Sequence, residues 1–373
     1  MDVGDWDGDC TFSWRRIHDN LCLVQPVTIQ RISHAIVAEG HSFQPDAAKQ
    51  ARADSFVVAS NIHYPSESSL IRDGLRKIIE LCVRRAAGAV VGWRQHEHLL
   101  GKIKKLSRHI ERIASRKGPN YEARLQQPYR ELLRLAKKIL ARARALLAAH
   151  DPAAAAELCQ FIERTEQVCG TARRRVLEGE TVPNADKLFS IFEPHTQLYQ
   201  RGKAGEPLQF GRLVLVYEDA AGFITHHHVL PRDACDRDVV VEQTRIVQQR
   251  LGGQIEEASF DRGFHTPENQ RQLATIVQHP CLPKLGKQGR KQEKSSVRFR
   301  AARQRHAGVE SAIGALQAGN GLERCRDRSE LGFERFVCLG VLGRNLQMLG
   351  KLLIAREASR SEAARSLRQR TAA

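Results

Sequence analysis

A single strand-like run standing ahead of a long helical block constrains this chain more than any other feature. RADSFVVASNIHYP (52–65) sets β-branched and aromatic residues after Asp54 and stops at Pro65, the pattern of a strand with an end. From Ser66 to Glu180 the apolar period becomes helical. Leu70, Leu75, Ile78 and Ile79 recur at near-helical spacing, and Ser66 and Ser69 are candidate caps. Breaks at Gly118-Pro119 and Asp151-Pro152 divide the block into three helices or helical groups.

Strand signals return after Pro183. FGRLVLVYED (210–219) and GFITHHHVL (222–230) read as a hairpin turning at Ala-Ala. DRDVVVEQTRIVQQRLGG (236–253) has a helical period and ends on glycine, and EEASFDRG (256–263) reads as a strand running into a turn. Thr266-Pro267 opens a helix with an N-cap and a proline at its first position. HPCLP (279–283) reads as a short strand, Lys284 to Arg305 as a basic linker, and RHAGVESAIGALQ as the start of a further helix. One or two more helices are expected to about Ala355, with a frayed tail after Arg356.

The pattern therefore predicts an α/β fold with a mixed sheet flanked by helices and a large helical insertion after the first strand. The expected segments are an N-terminal helical region (1–50), the first strand of the core (51–65), a basic helical insertion (66–182), the rest of the core (183–320), and C-terminal helices with a basic tail (321–373).

Charge indicates the partner. A formal net charge of +17 points to a polyanion, with nucleic acid foremost, because Lys and Arg neutralise phosphates and release their counterions. Nine cysteines without a C-x-x-C pair suit a reducing compartment and argue against a structural zinc site. The N-terminus lacks the basic and apolar regions of a signal peptide. The apolar stretch from Phe333 to Ala355 carries Arg335, Arg344 and Lys351 and reads as a core helix rather than a membrane span.

Three acids sit at telling places in this order. Asp54 lies on the first strand, Asp261 ends the strand before Gly263, and Glu310 lies on the helix after the basic linker. Metal-assisted phosphoryl transfer needs hard oxygen ligands on rigid elements that converge. Val309, Ile313 and Leu316 form an apolar stripe with Glu310 at its border, and Ala307 and Gly314 are small enough to let this helix approach a sheet.

These residues also carry a resemblance. WRRIHDN (14–20), ADSFVVASNIHYPSESSLIRDGLR (53–76), FSIFEPHTQLYQRGK (189–203), FDRGFHTPENQRQL (260–273), CLPKLGK (281–287), RQRHAGVESAIGAL (303–316) and GRNLQMLGKL (343–352) resemble DDE insertion-sequence transposases of the ISNCY type, which have ribonuclease-H-like cores. The resemblance implies that Asp54, Asp261 and Glu310 are catalytic and hold two Mg²⁺ ions, with Mn²⁺ as a substitute. It implies a cytoplasmic enzyme acting on double-stranded DNA, at the element ends and the target, as a homodimer on DNA and with no membrane partner. The chain departs from the family at Ala59, where an acidic residue is usual, and at His306 and Gln317, where neighbouring groups carry Arg and Lys. Its N-terminal region is also shorter than the family's, which keeps a non-catalytic DNA-binding remnant as the alternative.

The candidate phosphate contacts are Lys102, Lys104 and Lys105 in the helical block, Lys287, Arg290 and Lys291 in the linker, and Arg303 and Arg305 just before Glu310. His226, His227 and His228 form a cluster on one strand, and His63 and His195 lie in segments that resemble the family.

Overall fold

A computed structural model describes residues 13–85, 93–148, 152–200, 208–284 and 296–371, together with Gly286, Gly289 and Lys291. The chain divides into two compact units: Met1–Asn61 with Arg212–Ala373, and Ile62–Gly211.

The first unit begins with α1 (Trp14–Leu23), capped by the Ser13 hydroxyl, and α2 (Pro26–Phe43), with proline at its first turn. A short 3-10 turn leads into β1 (Gln50–Ala59), which ends six residues before Pro65. Its last amide and carbonyl bridge to the Glu323–Cys325 segment. Unit two then holds α3 (Glu67–Arg85), α4 (His96–Arg116), α5 (Tyr121–Ala148) and α6 (Pro152–Ala172), closed by a π-type turn to Leu177. Ser66 and Ser69 hydrogen-bond reciprocally at the start of α3, as their spacing predicts. Leu75, Ile78, Ile110, Leu132, Ile139 and Leu158 share the core of this bundle. β2 (Gln197–Gln200) pairs antiparallel with residues 208–211 at the start of β3 (Leu208–Asp219).

Back in unit one, β3 turns into β4 (Ile224–Val229), an antiparallel pair with a register shift at Tyr217/Glu218. The chain continues through α7 (Asp236–Arg250), β5 (Glu257–Phe260), α8 (Pro267–Ile276) and β6 (His279–Cys281). Gly252 and Gly253 end α7 in the left-handed region that favours glycine. Thr266 caps α8 through the Asn269 amide, as expected. Among the described residues the unit is completed by α9 (Val297–His306), α10 (Gly308–Gly314) and α11 (Ser329–Thr371).

The sheet is mixed and runs β4-β3-β1-β5-β6, with β1 parallel to β5 and β5 parallel to β6. The strands of Asp54, of residues 210–219, of residues 223–230 and of residues 256–261 thus share one sheet, as the strand pattern predicts.

Two expectations are corrected. The segment read as a linker to Arg305 becomes helix from Val297, because Ala302 and His306 are buried where α9 packs on β5. The tail after Arg356 is also helical, continuing α11. Residues 329–362 of α11 are long and apolar enough to cross a membrane. Its first half is nevertheless core: Phe333, Val337, Val341 and Asn345 are buried, and the helix packs on α2 and β4.

Candidate active site

The β1–β5 ladder pairs Arg52 with Ser259 and Ala53 with Phe260. Asp54 and Asp261 are the next residues along, Asp54 within β1 and Asp261 where the chain leaves β5 for a short 3-10 turn. Strand alternation decides which way they face. Arg52, Asp54, Phe56 and Val58 share one face of β1. Arg52 donates to the Arg305 carbonyl at 3.0 Å, and a Cβ on Gly308 would strike its guanidinium. Phe56 and Val58 belong to one apolar cluster with Ala312, Ile313 and Leu316 of α10 and the turn after it. Asp54 lies between these contacts on β1, and Glu310 lies between them on α10.

β5 gives the same answer independently. Glu257 pairs with Arg305, and the Ser259 hydroxyl lies 3.1 Å from the His306 ring. Asp261 is the next residue of that face, and its charge acts on His306. Asp54 and Asp261 therefore belong to the face of the sheet that α9 and α10 cover, and Glu310 is exposed on α10; the ligand oxygens of the three do not all lie within 4.8 Å of one another.

Their local states suit ligands. Asp54 is half-buried and accepts the Ser55 amide at 2.7 Å. Asp261 and Glu310 are exposed, and neither side chain has a hydrogen-bond or ion-pair partner among the described residues. Asp261 opens a short 3-10 turn, Arg262–Phe264, without capping it through its side chain. Asp54, Asp261 and Glu310 are oxygen donors of the kind that a hard divalent cation such as Mg²⁺ or Mn²⁺ takes.

The surrounding cations are sorted by their bonds. Arg303 donates to the Phe260 carbonyl at 3.2 Å, which holds its guanidinium next to Asp261. Arg305 is paired with Glu257. His306 is buried and its pKa falls to about 4, chiefly from burial and then from Arg303, with Asp261 opposing. Arg52 pairs with the buried Glu218 at 2.8 Å. Burial outweighs that attraction and raises the Glu218 carboxyl to about 7. His306, noted in the sequence only as a departure from the family pattern, is thus a neutral wedge under Asp261.

Gly314 meets nothing within 4 Å, so it is not the small residue that admits the helix. That residue is Gly308, pressed on Arg52.

The other predicted residues fall elsewhere. Lys102, Lys104 and Lys105 are exposed on α4, and Lys291 is exposed. Lys287 and Arg290 lie outside the described residues. His63 bonds Asp73 at 2.7 Å, and the buried His195 lies 3.6 Å from Glu193, both within the second unit. The histidine run is committed to packing, with His226 on Gln243 and His227 on Cys338. Burial drives both of those rings to a pKa of about 3. The fold also gathers His18, Cys22 and Asp327. Asp327 is already held by the buried Arg335, which also donates to the Cys22 carbonyl. That group therefore reads as a clamp on α1.

Compared with protein-family models, curated proteins and solved structures, the chain matches none of them.

Proposed function

We propose that this chain is a DDE transposase, an enzyme that cuts and joins DNA strands with divalent metal held by Asp54, Asp261 and Glu310. The observation that supports this reading is the shared face: Asp54 on β1 and Asp261 directly after β5 each follow a residue of the Ala53–Phe260 pair, on the side of the sheet covered by α10, the helix that bears Glu310. The strand order β4-β3-β1-β5-β6 supports reading the sheet as a ribonuclease-H-like core, with residues 62–211 inserted after its first strand.

Bound there, the cations would activate the attacking oxygen and offset charge on the leaving one. Asp54 lies within β1 and Asp261 directly follows β5, so paired strands position both backbones. Glu310 completes the set from a helix whose buried Val309, Ala312 and Ile313 hold it against β1. Arg303, tethered to the Phe260 carbonyl, retains donors that can hold a phosphate next to Asp261. His306 stays neutral and adds no positive charge under the ligands.

The chemistry proceeds in two displacements. Water attacks a phosphorus at the element end, forming a P–O bond while the P–O3′ bond breaks and leaves a free 3′ hydroxyl. That hydroxyl attacks a target phosphorus, and the target's own 3′ oxygen departs. We place the enzyme in the cytoplasm, acting as a dimer that brings two DNA ends together.

The test is cleavage of DNA carrying the element's end, with Mg²⁺ or Mn²⁺ and with neither. Activity that needs metal and disappears in Asp261→Ala, with duplex affinity kept, is the expected result. Equal activity in wild type and Asp261→Ala overturns the reading, and a wild type that binds DNA without cutting it makes the chain a non-catalytic remnant.

A further inference from the structure

In the second unit, α5 carries a row of cations with no internal use. Arg130, Arg134, Lys138 and Arg142 recur every four residues, all exposed, along one side of the helix. Its opposite side, including Leu132, Ala136, Ile139 and Ala143, is fully buried in the bundle core. At 1.5 Å per residue the row spans about 18 Å.

The ion pairs of this unit lie elsewhere. Arg72 meets Glu111, Lys77 meets Glu157, Arg144 meets Glu166, and Arg175 meets Glu67. Among the described residues none of the four row cations has an acidic partner; Arg130 reaches only the Gln126 amide oxygen. The nearby acid Glu131 accepts from Gln127 instead. Like charges at i, i+4 destabilise a helix, so four in succession are a cost that an anionic partner would reverse.

We infer that this row is a docking rail for the backbone of double-stranded DNA, extending the proposed function from the carboxylate centre to a second binding surface. The chemistry of the face selects that occupant. No large apolar side chain of α5 is exposed, so the helix lacks the apolar side that a membrane-surface helix buries in lipid. Its one fully buried aromatic, Tyr129, faces the core, so the face offers no stacking platform for unpaired bases. A row of cations that turns by about 40° at each step of a helix offers regularly spaced charge to a phosphate backbone, and one strand of duplex passes about five phosphates in that length.

The inference rests on the proposed DNA reading, and a metal-free binding experiment separates the two. The full-length protein and a variant carrying Arg130→Gln, Arg134→Gln, Lys138→Gln and Arg142→Gln are titrated against a labelled 30-base-pair duplex at several salt concentrations. Arg134→Lys with Lys138→Arg serves as the charge-preserving control, and circular dichroism checks that helix content is kept.

The expected result is a log–log salt slope reduced by about 0.9 for each phosphate no longer neutralised, so by about 3 to 4 in the fourfold variant. Affinity at low salt falls at least tenfold, and the control behaves as wild type. Because no cleavage is read, this outcome stands whether or not the protein proves catalytic. An unchanged slope in the fourfold variant, while wild type binds duplex, overturns the rail and leaves the carboxylate reading intact. Binding to anionic lipid vesicles or single strands in preference to duplex overturns it as well.

Discussion

Asp54 and Asp261 directly follow Ala53 and Phe260, which pair on neighbouring parallel strands, although 207 positions separate the two aspartates in the chain. Everything proposed for the site depends on that pairing and on the helix that covers it. Strands, helix and buried charges can each be probed separately.

Gly308 of α10 lies against the Arg52 side chain of β1. A Cβ there would lie 2.2 Å from the Arg52 guanidinium, which Glu218 and the Arg305 carbonyl already hold. Gly308→Ala should destabilise the protein by about 1–3 kcal/mol and displace Glu310 from the aspartates. Chemical denaturation and the cleavage assay read the two effects. Wild-type values in both would mean that Arg52 moves freely and does not set the helix.

Asn345 ties three elements together from the middle of α11. Its side chain accepts from the Ile224 amide at 2.8 Å and donates to the Ile224 carbonyl and the Ser33 hydroxyl. Asn345→Leu leaves the β4 backbone groups buried without partners, at a cost of about 2–4 kcal/mol. Urea unfolding measures this, and a loss below about 0.5 kcal/mol would show that water replaces the amide.

Stability should fall with acid. Burial lowers the pKa of His34 and His306 to about 4 and of His226 and His227 to about 3. Above about 6.5 these rings are neutral folded or unfolded and contribute no pH dependence. Below it the unfolded chain takes up protons that the folded chain refuses, so stability drops as pH falls from about 6.5 toward 4. Each such proton adds a slope of about 1.4 kcal/mol per pH unit. Urea midpoints at pH 7.5, 6 and 5 should decrease in that order, and a flat series would contradict the buried neutral rings.

Glu218 works in the opposite direction. Its carboxyl is raised to about 7 by burial, so its contribution is full below about 4.5 and is lost as pH rises through 7. Replacing it with Gln should remove that decline, so the variant gains on wild type from pH 5 to about 7 and the difference then levels off. A constant difference across that range would mean that the Arg52 ion pair dominates.

Much of the frame was legible in the sequence because it depends on local rules. The β-branched run after Asp54, the Ala-Ala hairpin, the Thr266-Pro267 cap and the paired glycines ending α7 each follow from turn chemistry or side-chain period. What escaped depends on tertiary packing. α9 has almost no amphipathic pattern in VRFRAARQRH and is held by Ala302, His306 and the Arg303–Phe260 bond, none of which a period reveals. Gly308 and Gly314 are equivalent in sequence, and only the position of Arg52 separates them. The α5 row was also readable as RELLRLAKKILAR (130–142), but its want of acidic partners among the described residues emerges only when the helices are packed.

The most direct test of the central claim is Mn²⁺ binding followed by electron paramagnetic resonance in the DNA-free protein. The proposed metal site predicts that wild type binds Mn²⁺ and that Asp54→Ala, Asp261→Ala and Glu310→Ala each weaken binding at least tenfold, whereas Glu256→Ala, an exposed acid paired with Lys49, does not. Binding that is the same in all four variants, or that responds to only one of the three carboxylates, would contradict it.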